Sequence, residues 1–498
     1  MTLRELLHGL TAEPIAAVPV TGLASHSKQV RPGDLFVAID GAAQDGHAFI
    51  EEAIARGAAA VVAQRAPAFH RNGFSASGPA RGCPCVVVRD TREALAAMAG
   101  RFYGQPSRKL RLIGVTGTNG KTTTTYLLRA MLEAAGHRAG LLGTIAHRIG
   151  GRVVPSTNTT PGPLELQRYF AEMVRDGMQW CAMEVSSHAL EQGRVTGLTF
   201  EAAIFSNLGS DHLDYHKTRE AYAAAKRRLF EHLQPDGRAV INVDDEYGRL
   251  LATTLPHRSV VTYGIDASAT ASAHRIACSW KGLELAIETP WAVMPLTTPL
   301  LGRHNVLNVV AAATTLLALG ISPSAIREGL ASIEPIPGRL ERVPNDHGIN
   351  ILIDYAHTAD ALRLALLSLR ELTRGRLIVV FGCGGDRDQT KRPTMGRMAS
   401  LLADEVIVTS DNPRSEHPRD IVHQITAGFH PGCPHAEVVI DREQAIVAAL
   451  SRAQRDDTVL IAGKGHEAHQ IVDHVFVPFS DRAVVERWLE APHPAVLV

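Results

Sequence analysis

One stretch constrains this chain more than any other: Lys109-Leu-Arg-Leu-Ile-Gly-Val-Thr-Gly-Thr-Asn-Gly-Lys-Thr-Thr-Thr-Thr125. The apolar run from Leu110 to Val115 predicts a buried strand, and Lys121 onward through Leu127, Leu128 and Met131 predicts a helix. Between them Gly114, Gly117 and Gly120 permit a tight turn. Strand, glycine turn, Lys-Thr and helix in this order make a phosphate cradle. Backbone N–H groups surround the phosphates, Lys121 reaches the terminal ones, and the hydroxyl of Thr122 can hold Mg²⁺. The spacing departs from the common G-x-x-x-x-G-K-[ST], because Val115 stands where glycine is usual and Gly114 lies one residue earlier. An ordinary glycine turn in an α/β sheet would not need lysine, threonine and helix all in register. The stretch by itself predicts binding of a nucleotide triphosphate.

A chain of 498 residues is too long for one core and suggests about three domains of ordinary size. Lys plus Arg and Asp plus Glu stand at 51 each, so no charge bias points to nucleic acid or membrane. No apolar run approaches the roughly 20 residues that span a bilayer, and membrane insertion is not expected. Charges within Met1-Thr-Leu-Arg-Glu-Leu-Leu7 argue against a signal peptide. The cysteines at 83, 85, 181, 278, 383 and 433 form no C-x-x-C pair and read as free thiols of a reducing cytoplasm.

Periodicity divides the chain into three α/β segments. Residues 1–107 predict strands over 34–39, 59–63 and 85–88, with helices over 49–56 and 91–103. Nothing there reads as catalytic, and a substrate-holding loop and a structural cap both stay open. Residues 108–336 alternate strands (139–142, 180–185, 202–205, 238–242) with helices, the pattern of a mostly parallel sheet. Ligands of such sheets bind at the carboxyl ends of strands. Glu184 ends one strand ahead of Ser186-Ser187-His188, and Ser206-Asn207 ends the next ahead of Asp211-His212. Glu184 is therefore placed to serve Mg²⁺ beside the phosphates, with a helix-capping carboxylate as the alternative. Residues 218–230 predict a helix by propensity. From that helix alone, Lys226 reads as a solvated lysine. Residues 337–498 follow the linker Pro335-Ile-Pro-Gly-Arg-Leu-Glu341. Their strands (351–355, 377–381, 405–409, 438–440, 458–462) predict a second, Rossmann-like doubly wound sheet. Its strand ends carry Asp354-Tyr-Ala-His357, the glycine-rich Gly382 turn, Ser410-Asp-Asn-Pro-Arg414 and Gly463-Lys-Gly-His-Glu467. The Gly382 turn lacks the G-x-G-x-x-G spacing, which weakens a nicotinamide-binding reading.

The ordered set Gly117-Thr-Asn-Gly-Lys-Thr-Thr123, Glu184-Val-Ser-Ser-His188, His212-Leu-Asp-Tyr-His216, Gly302-Arg-His-Asn305, Gly338-Arg339, Asp354-Tyr-Ala-His357 and Asp411-Asn-Pro-Arg414 resembles the Mur ligases over nearly all 498 residues. Among them it looks like the members that add diaminopimelate. The resemblance implies three α/β domains: a small N-terminal substrate domain (1–107), a central P-loop-type parallel-sheet domain (108–336) and a C-terminal Rossmann-like domain (337–498). It implies a cytoplasmic, monomeric, ATP-dependent ligase that joins meso-diaminopimelate to UDP-N-acetylmuramoyl-L-alanyl-D-glutamate through an acyl phosphate. Two Mg²⁺ ions are implied, held by Thr122, Glu184, His212 and Lys226. In this family the lysine matching Lys226 is carbamylated to N6-carboxylysine, which turns a cation into a metal-binding carboxylate. Catalysis would rest on Lys121, Glu184, His212 and Lys226. ATP would be held by Gly117, Thr118, Asn119, Gly120, Lys121, Thr122 and Thr123 together with Asn305, Arg339 and Asp354.

The same resemblance places the uridine end of the nucleotide-peptide at Ser25, Ser27, Ala42, Ala43 and Gln44. Its peptide end would meet Asn158, Thr159, Thr160, Ser186, Gln192 and Arg194. Where the family usually carries Asp-Ser-Arg before Val-x-x-Gly-Asp-Leu-Phe, this chain has His26-Ser-Lys28. Diaminopimelate would meet Arg387, Asp411, Asn412, Pro413, Arg414, Gly463 and Glu467. Arg414 would select it, because a guanidinium pairs with the extra carboxylate and repels the bare ammonium of lysine. The alternatives are the same chemistry with L-lysine or another amino acid, and a folylpolyglutamate-synthase-like ligase. The latter typically reads Gly-Lys-Gly-Ser at the loop and has no need of Asp-Asn-Pro-Arg. A P-loop motor would want glycine at 115, and a dead homologue would be expected to lose Lys121, Glu184 or Lys226.

Overall fold

The computed structural model describes residues 1–12, 15–41, 44–65, 83–209, 211–255, 259–265, 268–432 and 435–491. They fall into two compact units. The first comprises Met1–Thr116, His137–Ala203 and Ala225–Gly237; the second comprises Gly117–Gly136, Ile204–Ala224 and Arg238–Val498.

The first unit opens with a four-stranded parallel sheet in the order Gly22–Ala24, Asp34–Val37, Ala60–Ala63, Cys85–Val87. Side chains alternate across a strand, so Leu35 and Val37 enter one core with Leu3, Leu6 and Met98. Phe36 and Ala38 enter another with Ile50 and Val61. Both faces are thus covered, which is why the central strands read as unbroken apolar runs. Asp90 starts the helix Thr91–Phe102 by accepting from the amides of Arg92 and Glu93. Further along, Arg111–Thr116 pairs in parallel with Trp180–Glu184, which pairs in parallel with Ala139–Leu142. Two antiparallel strands not expected from the sequence, Ala146–Ile149 and Arg152–Pro155, extend this edge. Gly150, at φ 59°, and Gly151 supply their turn.

In the second unit the helix Lys121–Ala134 packs on Asn305–Ala318 and Pro323–Ala331. Gly329 makes that approach possible, since a Cβ there would meet the Met131 backbone. The end of Leu233–Asn242 pairs in parallel with Val260–Gly264, followed by Ala271–Ser279 and the antiparallel Gly282–Glu288 and Val293–Thr298. The C-terminal sheet runs Glu341–Val343, Asn350–Asp354, Thr458–Ala462, Leu377–Phe381, Glu405–Val408, Ala436–Val438, parallel except for its first strand. Separate cores on its two faces make it doubly wound, as expected. A two-stranded hairpin, His469–Val472 with Val475–Pro478, follows its last long strand.

Candidate active site

The phosphate loop stands as its sequence predicts, braced by residues that the motif does not contain. Gly117 and Gly120 have φ of 145° and 88°, and a Cβ on either would collide with Ser206 Oγ or Asn308 Oδ1. Only glycine meets both conditions. The Asn119 carbonyl accepts from Ser206 Oγ at 2.6 Å and Asn207 Nδ2 at 3.1 Å, while Asn207 Oδ1 accepts from the Asn119 amide at 2.9 Å. Thr118 Oγ1 accepts from the Gly209 amide at 2.9 Å and lies 3.2 Å from the Tyr222 hydroxyl. Lys121 Nζ donates to the carbonyls of Gly117 and Thr118 at 2.9 and 2.8 Å. Thr122 and Thr123 are buried, and Thr124 and Asn308 link this helix to Asn305, whose Oδ1 accepts from Asn308 Nδ2 at 2.8 Å. The strand-end position of Ser206-Asn207 was the only signal for their role.

In the same unit, Arg339 Nη2 donates to Thr122 Oγ1 at 3.1 Å, and the guanidinium lies over the Tyr355 ring. Asp354 accepts from the Leu340 amide at 2.6 Å and the Ala356 amide at 2.8 Å. Burial pushes its carboxyl up, against the pull of Arg339 and those amides. His212 has a φ of 55°, and its amide donates to Asp211. Burial raises the Asp211 carboxyl, but His212, His357 and Lys391 outweigh it and hold it below the ordinary range.

In the first unit Glu184 is buried at the end of its strand. Its Oε1 accepts from the Thr144 amide at 2.8 Å and its Oε2 from Thr144 Oγ1 at 2.9 Å. Gly143 leaves room for the carboxylate, which would collide with a Cβ there. Thr144 Oγ1 is 3.0 Å from Thr159 Oγ1. Thr160 Oγ1 donates to the Glu184 carbonyl and accepts from the Ser186 amide, and its carbonyl accepts from Arg194, which also holds Gln192. Five of the six residues expected at the peptide end therefore converge on the Glu184 strand end. Asn158 meets Ser156 through its backbone carbonyl. Gly143 and Thr144 went unread in the sequence.

Lys226 corrects the reading made from its helix. It is 1% exposed. The helix runs Arg219–Arg227 and tightens into a 3₁₀ turn at Arg228–His232, rather than continuing regularly to Phe230. Tyr222, Ala225, Lys226 and Leu229 share the buried stripe, while Arg227 and Arg228 take the exposed side. Among the residues expected at the uridine end, Ser25 is exposed and Ser27 is buried, its hydroxyl donating to Glu52 at 2.7 Å. The Gln44 carbonyl closes a turn by accepting from the Gly41 amide. Ala42 and Ala43 lie outside the described residues, as does Cys433; the other five cysteines are free thiols.

The C-terminal cluster forms at the carboxyl ends of the sheet strands. Asp411 and Asn412 are buried, and Arg414, at φ 52°, donates from Nη1 to the Gly385 carbonyl at 2.6 Å. The Pro413 carbonyl accepts from the Glu416 amide. Burial and the nearby charge of Arg387 pull the Arg414 guanidinium down, against Asp411, Glu467 and Asp386. Arg387 itself is exposed. Gly463, at φ 113°, leaves space for the Asp411 carboxylate. Glu467 Oε2 accepts from Asn412 Nδ2 at 2.9 Å and Lys464 Nζ at 2.8 Å. Guanidiniums and a carboxylate thus face one strand-end cluster, as a ligand with both charges requires.

Three family models match the chain. "Mur ligase family, catalytic domain" covers residues 19–103, "Mur ligase middle domain" 115–316, and "Mur ligase, glutamate ligase domain" 338–465. A UDP-N-acetylmuramoyl-L-alanyl-D-glutamate–2,6-diaminopimelate ligase of Geobacillus thermodenitrificans (strain NG80-2) is 44% identical over 473 residues, 93% of this chain and 94% of its own length. A solved structure of a ligase with the same name superposes with a TM-score of 0.70 at 33% identity, covering 98% of this chain and 99% of the other. A Mycobacterium tuberculosis folylpolyglutamate synthase, solved with ADP and AMPPCP, shares the fold at 19% identity and a TM-score of 0.61, over 74% of this chain and 92% of its own.

Proposed function

This chain belongs to the Mur ligase family, and we propose that it joins diaminopimelate to UDP-N-acetylmuramoyl-L-alanyl-D-glutamate at the expense of ATP. It is an ATP-dependent ligase. The D-glutamyl carboxylate attacks the γ-phosphorus and ADP leaves, giving an acyl phosphate. An amine of diaminopimelate then attacks the acyl carbon, loses a proton and expels phosphate. Two anions must meet in the first step, so positive charge has to be concentrated between them. Lys121 supplies one such charge by exchanging its loop carbonyls for phosphate oxygens, and Arg339 beside Thr122 supplies another.

Among the described residues no group of three or more His, Cys, Asp and Glu converges as a metal cage. Magnesium carried on phosphates needs only one or two protein ligands, and the buried carboxylate of Glu184 and hydroxyl of Thr122 suit that role. His212 and Lys226, as its carbamate, would hold a second ion. Bound magnesium would neutralise the charge that develops on the phosphoryl oxygens. The burial of Lys226 supports the carbamate reading, because the side chain lies on the inward stripe of its helix and not on the exposed side with Arg227 and Arg228.

The proposed division into domains is 1–107, 108–336 and 337–498, and each matched family segment falls inside one of them. The proposed setting is a cytoplasmic monomer; no described helix is long and apolar enough to cross a membrane. The uridine contacts proposed are Ser25, Ala42, Ala43 and Gln44, with Ser27 acting through Glu52.

One observation carries the choice of amino acid: Arg414, Asn412 and Glu467 meet at one strand-end cluster. Purified protein incubated with ATP, Mg²⁺, UDP-muramoyl dipeptide and either meso-diaminopimelate or L-lysine tests it. A product heavier than the dipeptide by one diaminopimelate residue is expected; preference for lysine would overturn it.

A further inference from the structure

We infer that Lys464, within the Gly463–Glu467 strand end, is a positioning residue for the amino-acid site: it fixes Asn412 and Glu467 so that one oxygen of Glu467 stays open to a substrate ammonium. The inference rests on the diaminopimelate reading above.

Lys464 is fully buried. A buried ammonium is tolerated only when it is paired and hydrogen-bonded. Here Nζ donates to Glu467 Oε2 at 2.8 Å and to Asn412 Oδ1 at 3.0 Å, with Asp411 Oδ1 at 4.0 Å. Asn412 Oδ1 also accepts from the Ile471 amide at 3.0 Å, within the hairpin that follows. Two donors on that oxygen settle which way the Asn412 amide points. Its NH₂ must face Glu467, and Nδ2 donates to Oε2 at 2.9 Å. Lys464 and Asn412 therefore both load the same oxygen of Glu467, and the carboxylate is held in one orientation with Oε1 turned away from them.

The same arrangement sets the charge of the site. Asp411 and Glu467 are two carboxylates that follow strands on either side of Leu377–Phe381, and Lys464, 2.8 Å from Glu467 and 4.0 Å from Asp411, offsets one negative charge. What remains favours a single ammonium, while Arg414, two residues beyond Asn412, faces a carboxylate. The hairpin locks this geometry from the other side. Gln470 Nε2 donates to the Asp411 carbonyl at 2.8 Å, and the Arg414 amide donates to the Ile471 carbonyl at 2.9 Å.

The test is a double-mutant cycle on the full chain with Lys464→Met, Glu467→Gln and the pair. Rates are read against diaminopimelate at saturating ATP and UDP-muramoyl dipeptide. Wild-type turnover of diaminopimelate, measured first, tests the functional reading separately. If Lys464 acts through Glu467, Lys464→Met should raise the KM for diaminopimelate ten-fold or more and leave the KM for ATP within two-fold. The double variant should be no worse than the worse single one, because a neutral amide in place of the Glu467 carboxylate no longer needs the ammonium. Multiplying effects, or equal losses for ATP and diaminopimelate, would overturn the proposal. Should Lys464→Met fail to fold, Lys464→Gln, which keeps a donor toward Asn412 and Glu467 without a charge, is paired with Glu467→Gln in the same cycle. Non-additivity is expected there, and additive effects would overturn the assignment.

Discussion

Arg339 donates a hydrogen bond to Thr122 Oγ1 at 3.1 Å, joining residues 217 positions apart. The guanidinium therefore sits at the first turn of the phosphate-loop helix, next to the hydroxyl expected to serve magnesium. Its other face lies 4.8 Å from the Tyr355 ring centroid, so the side chain is held from two directions. A charge held this way has little reorganisation left when phosphate arrives.

Arg339→Ala should lower kcat/KM for ATP by about 30-fold to several thousand-fold, the range set by roughly 2–5 kcal/mol for truncating a charged hydrogen-bonded partner. Arg339→Lys should restore little, since an ammonium cannot both stack on Tyr355 and fork toward phosphate. Steady-state kinetics with ATP varied decides this. A lysine variant with wild-type kinetics would count against the geometry.

Thr144 supplies two hydrogen bonds that hold the Glu184 carboxylate, one from its amide and one from its hydroxyl. Thr144→Val keeps the amide and removes the hydroxyl. Loss of a partner that orients a metal ligand costs about 10–100-fold, so the Mg²⁺ concentration for half-maximal rate should rise within that range. An unchanged magnesium titration would separate Glu184 from the metal.

Lys226→Ala should lose at least a hundred-fold in activity, about 2.7 kcal/mol at 1.36 kcal/mol per decade. Formate or acetate should return part of it by occupying the place of the carbamate. Because Lys226 is buried, melting curves must accompany the kinetics. A folded variant with full activity and no added carboxylate would remove the carbamate from the mechanism.

Arg414→Ala should raise the KM for meso-diaminopimelate tens-fold or more and leave that for ATP nearly unchanged. The guanidinium is held by the Gly385 carbonyl and its φ of 52°, so its direction is set before substrate binds. Normal use of diaminopimelate by the variant would overturn the assignment.

His147 is buried against Tyr169, and its Nδ1 has no hydrogen-bond partner among the described residues. Burial pushes its pKa down from 6.5 to about 4. The folded form therefore refuses a proton that the unfolded chain accepts below pH 6.5. The stability this group contributes is complete above the unfolded pKa and is lost as pH falls through 6.5 toward 4. The loss is about 1.4 kcal/mol per pH unit in that window. His147→Phe keeps a ring against Tyr169 and cannot titrate. Denaturant unfolding at several pH values should show a shallower acid slope in the variant, and an unchanged slope would refute the cause.

What the sequence determined by itself was everything carried by consecutive residues. The phosphate loop, the apolar strand runs and the polar strand ends each lie within a few positions, where periodicity and glycine placement act directly. Its motif order sufficed to place the family and the fold class. The tertiary structure decided what depends on residues far apart in the chain. Lys226 looked solvated because its helix is rich in alanine and arginine, and only packing shows which stripe faces inward. Ser206, Asn207 and Asn308 brace the loop from outside its motif. Lys464 became legible only when Asn412, 52 positions earlier, was seen to share its ammonium. Burial and hydrogen-bond partnership are pairwise properties of the folded chain, and no local pattern encodes the partner.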